Sequence, residues 1–142
     1  MWQIKTLAEL SYREIYQLFK LRTDIFVVEQ QCAYPEIDEW DLSCRHGLKF
    51  DSQQNLIACF RIIEEAAQIR LGRVAIHPSM RGSGLGHELM KFAIEACPTT
   101  RGIYISAQAH LVAFYQQHGF DTIGEVYLED GIPHIDMRLT KQ

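Results

Sequence analysis

The chain has 142 residues, 47% apolar and 23% charged, the balance of a single folded domain long enough to bury its own core. Basic residues number 14 against 18 acidic ones, a net charge of −4, which excludes a basic footprint for nucleic acid. No apolar run approaches the roughly 20 residues of a membrane-spanning helix, and Met1-Trp2-Gln3-Ile4-Lys5 lacks a secretory-leader layout. A cytoplasmic protein with no membrane partner, one domain over 1–142, is therefore expected.

Trp2 to Thr6 predicts a short first strand. Ser11-Tyr12-Arg13-Glu14 is a capping box, and Ile15, Leu18, Phe19, Ile25 and Phe26 recur at helical spacing. That helix is expected to end near Phe26, with Val27 and Val28 leaving it. Arg22 falls on its apolar seam, where it either snorkels or pairs with a buried carboxylate. Residues 30–42 read as a loop around Pro35, followed by strands at 44–50 and 56–64 across the polar turn Asp51-Ser52-Gln53-Gln54-Asn55.

The next strand spans about 67–77 and changes parity midway. Ile69 and Leu71 share one face, whereas Val74 and Ile76 share the other, and a regular strand cannot bury both pairs on one side. A β-bulge at Gly72-Arg73 resolves the conflict; an ordinary strand buried on both faces is the plainer alternative. Pro78 then stops the strand, and glycines open a helix from Leu85 to about Ala96. Beyond Pro98, Ile103 to Ala107 reads as a short buried strand. His110 to His118 reads as a helix ended by Gly119 at its C′ position. Phe120 to Leu128 and His134 to Leu139 are strands joined by Glu129-Asp130-Gly131-Ile132-Pro133. The order βα-βββ-αβ-αββ predicts an α/β (α+β) domain, a mixed sheet of six to seven strands with helices on both faces.

The segment Arg81-Gly82-Ser83-Gly84-Leu85-Gly86 carries the chemistry. Glycines let backbone N–H groups approach a ligand, and the helix start adds unpaired donors and a positive dipole end. Such a combination receives a pyrophosphate. A dinucleotide fingerprint fails, because its third glycine position falls on His87 or Leu89, and no Gly-Lys-Ser/Thr of a P-loop is present. A glycine turn that only starts a helix is the bland reading.

The pattern that fits is R-x-x-G-x-G, which resembles the acetyl-CoA loop of the GNAT superfamily of N-acetyltransferases. Phe114-Tyr115-Gln116-Gln117-His118-Gly119-Phe120 resembles a second segment of that superfamily. Leu21 to Gln30, with Cys32, Tyr34, Glu36, Asp38, Asp41 and His46, is similar to its ElaA-like subfamily. So are Ala107-Gln108-Ala109-His110-Leu111 and Glu129 to His134. The resemblance covers essentially the whole chain and implies a GNAT fold in which the bulged strand splays from its neighbour at the acetyl-CoA site. It implies acetyl-CoA as cosubstrate, held by Arg81, Gly82, Ser83, Gly84, Leu85 and Gly86, with the backbone of Val74, Ala75 and Ile76 along the pantetheine arm. Gln108 stands where many members carry an Asn that contacts CoA. Many members form homodimers; the residues here do not fix an oligomeric state.

The implied reaction is aminolysis of a thioester by a small-molecule or peptide amine. An alkyl amine of pKa about 10.4 is neutral in only about one molecule in 2,500 at pH 7, equivalent to roughly 4.6 kcal/mol, so a base is needed. The family resemblance makes Tyr115 the candidate general acid; a core tyrosine is the structural alternative. A backbone N–H near Val74 or Ala75 is expected to meet the carbonyl oxygen. Asp24, Glu29, Glu36, Asp38, Glu39 and Asp41 lie between Thr23 and Cys44 with no Lys or Arg among them. They are either a solvated loop or an acidic mouth for a cationic amine. Glu36 and Asp38 are expected to touch the amine, with Tyr34, Trp40, His46 and His134 around it. Cys32, Cys44, Cys59 and Cys97 include no C-x-x-C pair, and no histidine pair has ligand spacing. Reduced thiols and no metal are expected, although Cys32 and Cys44 are within sequence reach of a disulfide or, with His46, a metal site. The rival readings are a protein N-terminal or lysine acetyltransferase and an acyl-CoA sensor without turnover.

Overall fold

A computed structural model describes residues 1–98 and 101–140. Seven strands make one sheet: β1 (Trp2–Lys5), β2 (Arg45–Phe50), β3 (Leu56–Glu64), β4 (Ile69–Ile76), β5 (Gly102–Gln108), β6 (Asp121–Glu129) and β7 (Ile132–Thr140). Their order across the sheet is β1-β2-β3-β4-β5-β7-β6. Neighbours run antiparallel except β4 and β5, which are parallel and therefore need a helical crossover. That crossover contains α2 (Leu85–Ala96). Leu85, Leu89, Met90 and Ala93 of α2 pack on Ala58, Phe60 and Ile62 of β3. On the other face, Leu18 and Leu21 of α1 (Tyr12–Thr23) pack with Leu48 and Cys59. Cover on both faces explains why β3 is buried without interruption from Leu56 to Ile63.

The capping box forms as expected: Ser11 Oγ accepts from Glu14 N–H at 3.2 Å, and Glu14 Oε1 accepts from Ser11 N–H at 2.8 Å. The helix does not leave at Val27. The chain widens into a π-helical segment, Asp24–Glu29, where Gln30 N–H reaches the Ile25 carbonyl at 3.2 Å and Cys32 N–H the Val27 carbonyl at 3.0 Å. Wide turns of this kind recur at functional sites. The loop expected over 30–42 includes a 3₁₀ turn, Glu39–Leu42. The helix expected from His110 divides into a 3₁₀ turn, Ala109–Leu111, and α3 (Val112–Gln116), which Gly119 closes at φ +92°.

The bulge read from the parity of β4 is present. Cys59 pairs with Ala75 while Arg61 pairs with Gly72, so two residues of β4, Arg73 and Val74, answer the single Phe60 of β3. Arg73 takes the left-handed conformation, φ +51°. Among the described residues, β4 pairs with β5 only at Ile69/Ile103 and Arg70/Tyr104, after which the two strands part.

Candidate active site

The bulge is held by charge. A left-handed non-glycine residue costs about 1–2 kcal/mol, so Arg73 needs fixed partners. Its Nε lies 2.9 Å from Glu36 Oε2, and its Nη2 donates to the Glu36 carbonyl at 2.9 Å. Arg22 Nε donates to Glu36 Oε2 at 2.6 Å, and its two Nη groups donate to the two Asp41 oxygens at 2.8 and 3.0 Å. Arg61 grips Asp38 through two bonds of 2.7 and 2.9 Å and reaches Asp41 Oδ1 at 3.0 Å. Three guanidiniums thus face three carboxylates, with Arg22, Glu36, Asp41 and Arg61 buried. The choice left open for Arg22 is settled: it pairs.

This geometry differs from the position expected of Glu36 and Asp38. Their carboxylates face arginines behind the site wall rather than an incoming amine. The reason is local: the 3₁₀ turn that follows Asp38 folds the acidic loop onto α1 and β3, where buried arginines wait. Burial pushes the Asp41 carboxyl up, but the hydrogen bonds and charge of Arg22, with Arg61, hold it at about 2. Asp38 is likewise held below the usual carboxylate range, the arginines overcoming its burial. His46 is also displaced from its expected role. It is fully buried and sits away from the cavity, with its Nε2–H donating to the Asp41 carbonyl at 3.0 Å. Burial lowers its basicity. Trp40 is partly exposed and lies under the Arg70 guanidinium at 5.8 Å. It too is outside the cavity.

Asp41, Cys44 and His46 bring one ligand atom each within 4.8 Å of one another. The donor set does not suit a cation. The Asp41 carboxylate is bonded to two guanidiniums, the His46 Nε2 proton is donated to a carbonyl, and burial pushes the Cys44 thiol up to about 11. Cys32 and Cys44 are both thiols and do not form a disulfide.

Where β4 and β5 part, a cavity of about 990 Å³ opens. Val74, Ala75 and Ile76 line it on one side, Gln108 and Tyr115 on the other, and Arg81 and Gly86 at the glycine loop. Gly82 and Gly84 take φ of +79° and +87°, and nothing lies within 4 Å of where a Cβ would stand on either. The loop is therefore an open backbone cradle at the head of α2, which fits a phosphate group. Ser83 Oγ donates back to the Met80 carbonyl at 2.6 Å, and Leu85 is buried in the core, so these two shape and anchor the loop. Arg81 makes a two-pronged pair with Glu29 of the π-helical segment, both bonds 2.9 Å. Gln108 Nε2 donates to Gln30 Oε1 at 3.3 Å. Tyr115 is buried, and that burial pushes its phenol up to about 12.

On the polar face of β5 and β7 the cavity contains groups beyond those expected from the sequence. Tyr127 Oη donates to Asp136 Oδ1 at 2.7 Å and is hydrogen-bonded to Ser106 Oγ. Tyr34 and His134, both expected at the substrate, line the cavity with Glu129 and Asp130. Tyr34 donates to Glu36, and burial together with that carboxylate raises its phenol. A sequence signal for this face exists: Tyr104, Ser106 and Gln108 alternate with the apolar Ile103, Ile105 and Ala107. A polar face on an interior strand has to face something other than core.

A bulged strand splaying beside a glycine cradle on a seven-stranded mixed sheet defines an acyl-CoA-dependent acyltransferase, and residues 13–141 match the acetyltransferase (GNAT) domain. The chain belongs to that family. It is similar to protein ElaA of Escherichia coli, at 41% identity over 96% of this chain and 94% of that protein. The crystal structure of E. coli ElaA superposes with a TM-score of 0.93 at 40% identity, covering 98% and 99% of the two chains. An acyl-CoA N-acyltransferase from Pseudomonas aeruginosa gives a TM-score of 0.92 at 41% identity over 99% of each chain. An aminoglycoside 6′-N-acetyltransferase solved with coenzyme A shares the fold alone, with a TM-score of 0.70 at 15% identity, covering 97% of this chain and 96% of that one.

Proposed function

We propose that the protein transfers an acetyl group from acetyl-CoA to a primary amine of a small molecule or peptide by direct attack of the amine on the thioester. One observation carries this reading. The gap between β4 and β5 runs as a continuous cavity from the glycine loop to Tyr115 and on to the polar face of β5 and β7. Acetyl-CoA supplies the thioester carbonyl. The backbone N–H groups at the head of α2, with Gly82 and Gly84, receive its pyrophosphate. Val74, Ala75 and Ile76 offer peptide groups along the gap, and an N–H near Val74 or Ala75 meets the carbonyl oxygen as charge develops there. Tyr115 keeps its proton at neutral pH and donates it toward the departing sulfur.

The acceptor side favours a cationic amine. Arg61 is neutralised by Asp38 and Asp41 and Arg73 by Glu36, and Arg70 and Arg81 are paired with Glu65 and Glu29. Glu129, Asp130 and Asp136 thus dominate the field at the β6–β7 side. Direct attack fits better than an acyl-enzyme. The cavity thiol, Cys32, is 3.5 Å from the Asp130 carbonyl, an acceptor that cannot take its proton to make a nucleophile. The test is release of CoA thiol from acetyl-CoA over polyamines, aminoglycosides, amino acids, arylamines and short peptides, with a protein-only control for the cysteines. Release with one amine class supports the transferase; acetyl-CoA binding with no release throughout favours a sensor. Tyr115→Phe is expected to lower kcat about 10²-fold with acetyl-CoA Kd unchanged. Native turnover in that variant would refute its role as acid.

A further inference from the structure

We infer that His134 is the general base that takes the first proton from the incoming ammonium, an assignment that rests on the transferase reading above. Geometry fixes the tautomer. His134 Nδ1 lies 2.7 Å from the Ile132 carbonyl. A carbonyl only accepts, so Nδ1 carries the hydrogen of the neutral ring and Nε2 holds a lone pair. His134 is buried yet lines the cavity. Its Nε2 is 3.7 Å from Glu129 Oε2, too far for a hydrogen bond and close enough to stabilise the imidazolium once a proton arrives.

Register puts this ring beside the reacting centre. His134 pairs with Gln108 on β5 and with Tyr127 on β6, so the three form one cross-strand row at the mouth of the β4–β5 gap. The Tyr127 ring stacks on it at 6.1 Å and 25°, which fixes its plane. Two competing carboxylates are committed elsewhere, and Glu129 and Asp130 are exposed to solvent. Asp136 accepts from Tyr127, and Glu29 is bound twice by Arg81. His110 also lines the cavity, but it is exposed on the 3₁₀ turn after β5.

The protons balance. The ammonium gives one proton to His134 Nε2, which passes it to solvent. The neutral nitrogen then forms its bond to the carbonyl carbon as the C–S bond breaks. Tyr115 donates a proton to sulfur and is restored by the second proton released from nitrogen. The products are the amide and CoA thiol.

The experiment uses the full chain, acetyl-CoA and the alkyl amine found most active in the thiol-release panel. His134→Gln and His134→Ala are expected to lower kcat about 10²-fold, with acetyl-CoA Kd by calorimetry within twofold of the parent. Imidazole added to His134→Ala is expected to restore at least tenfold of the loss, after subtraction of its protein-free reaction with acetyl-CoA. A merely structural role would not respond to imidazole. Turnover within threefold of the parent overturns the assignment. So does a loss matched by weakened acetyl-CoA binding, a loss that imidazole leaves untouched, or an equal loss in His110→Gln. Silence of the parent protein with every amine overturns the transferase reading itself, and the base with it.

Discussion

Asp41→Asn tests whether the arginine–carboxylate network is a structural necessity or a solvated decoration. Asp41 and Arg22 are each 1% exposed, so solvent screening offers no discount. The substitution keeps the volume and leaves three guanidiniums facing two carboxylates. Removing one partner from a buried ionic cluster costs about 3–5 kcal/mol, because the remaining charges stay desolvated. That is a third or more of the stability of a typical domain. At about 2–4 °C per kcal/mol for a chain of this size, Tm should fall by about 6–20 °C. Thermal unfolding followed by circular dichroism is the assay, with Asp24→Asn as the control. The Lys20–Asp24 pair is about half exposed on both sides, and its loss should leave Tm nearly unchanged. The sign with pH is fixed by the depressed carboxyl. With Asp41 held at about 2 in the folded state, its contribution is complete above an unfolded value of about 3.9 and is lost as pH falls toward 2. The linkage amounts to about 2–3 kcal/mol, so the gap in Tm between parent and variant should narrow between pH 6 and pH 3. A variant melting within 2 °C of the parent at pH 6 would mean that water reaches the network and screens its charges, and the buried-cluster account would be refuted.

Two further perturbations address the cosubstrate loop. Gly84→Ala forces an alanine into φ +87° in open space, which costs about 1–2 kcal/mol of stability. On the proposed reading its methyl group would stand where the pyrophosphate approaches, so acetyl-CoA Kd should rise at least tenfold, about 1.4 kcal/mol; unchanged affinity would remove this loop from the phosphate site. Glu29→Gln frees Arg81 from an exposed pair, so Tm should barely move. Acetyl-CoA should bind about threefold tighter at low salt, with the gain lost at high salt. Weaker binding would show instead that Glu29 orients Arg81.

Features that depend on neighbours along the chain are legible in the sequence. The capping box places the start of α1, glycine spacing places the head of α2, and the change of parity between Leu71 and Val74 locates the bulge. Partners that meet only through folding are not legible. Arg22 and Glu36 are 14 residues apart, and Arg61 and Asp38 are 23 apart. An acidic run with no basic residue inside it looks the same whether its counter-ions are solvent or a distant strand. For that reason Glu36 and Asp38 read as a mouth although they are part of the wall. His46 misleads in the same way, since Arg45 and Gly47 on either side of it give no hint that its side chain is fully buried. The π-helical turn is hidden too, because the apolar spacing of Ile25 and Phe26 suits either kind of helix. Alternation along β5, by contrast, is a local signal, and it marks the polar face of the cavity.

The sheet itself divides the proposed chemistry. On β5, Ile105 and Ala107 pack into the core with Tyr115 and α2, whereas Ser106 and Gln108 point the other way, into register with Asp136 and His134. A regular β4–β5 ladder would seal the two faces from each other. Because that ladder stops after Arg70 and Tyr104, a thioester lying in the gap is reachable from both. The sulfur would then leave toward the helix face, where burial keeps the Tyr115 proton in place, and the amine would arrive from the polar face, where His134 can take one. The left-handed turn at Arg73 is what diverts β4 from its neighbour. Glu36 holds that arginine, and Arg22 holds Glu36. Glu36, expected at the substrate, thus acts one step back, by keeping open the window through which the proposed acid and base would reach the same bond.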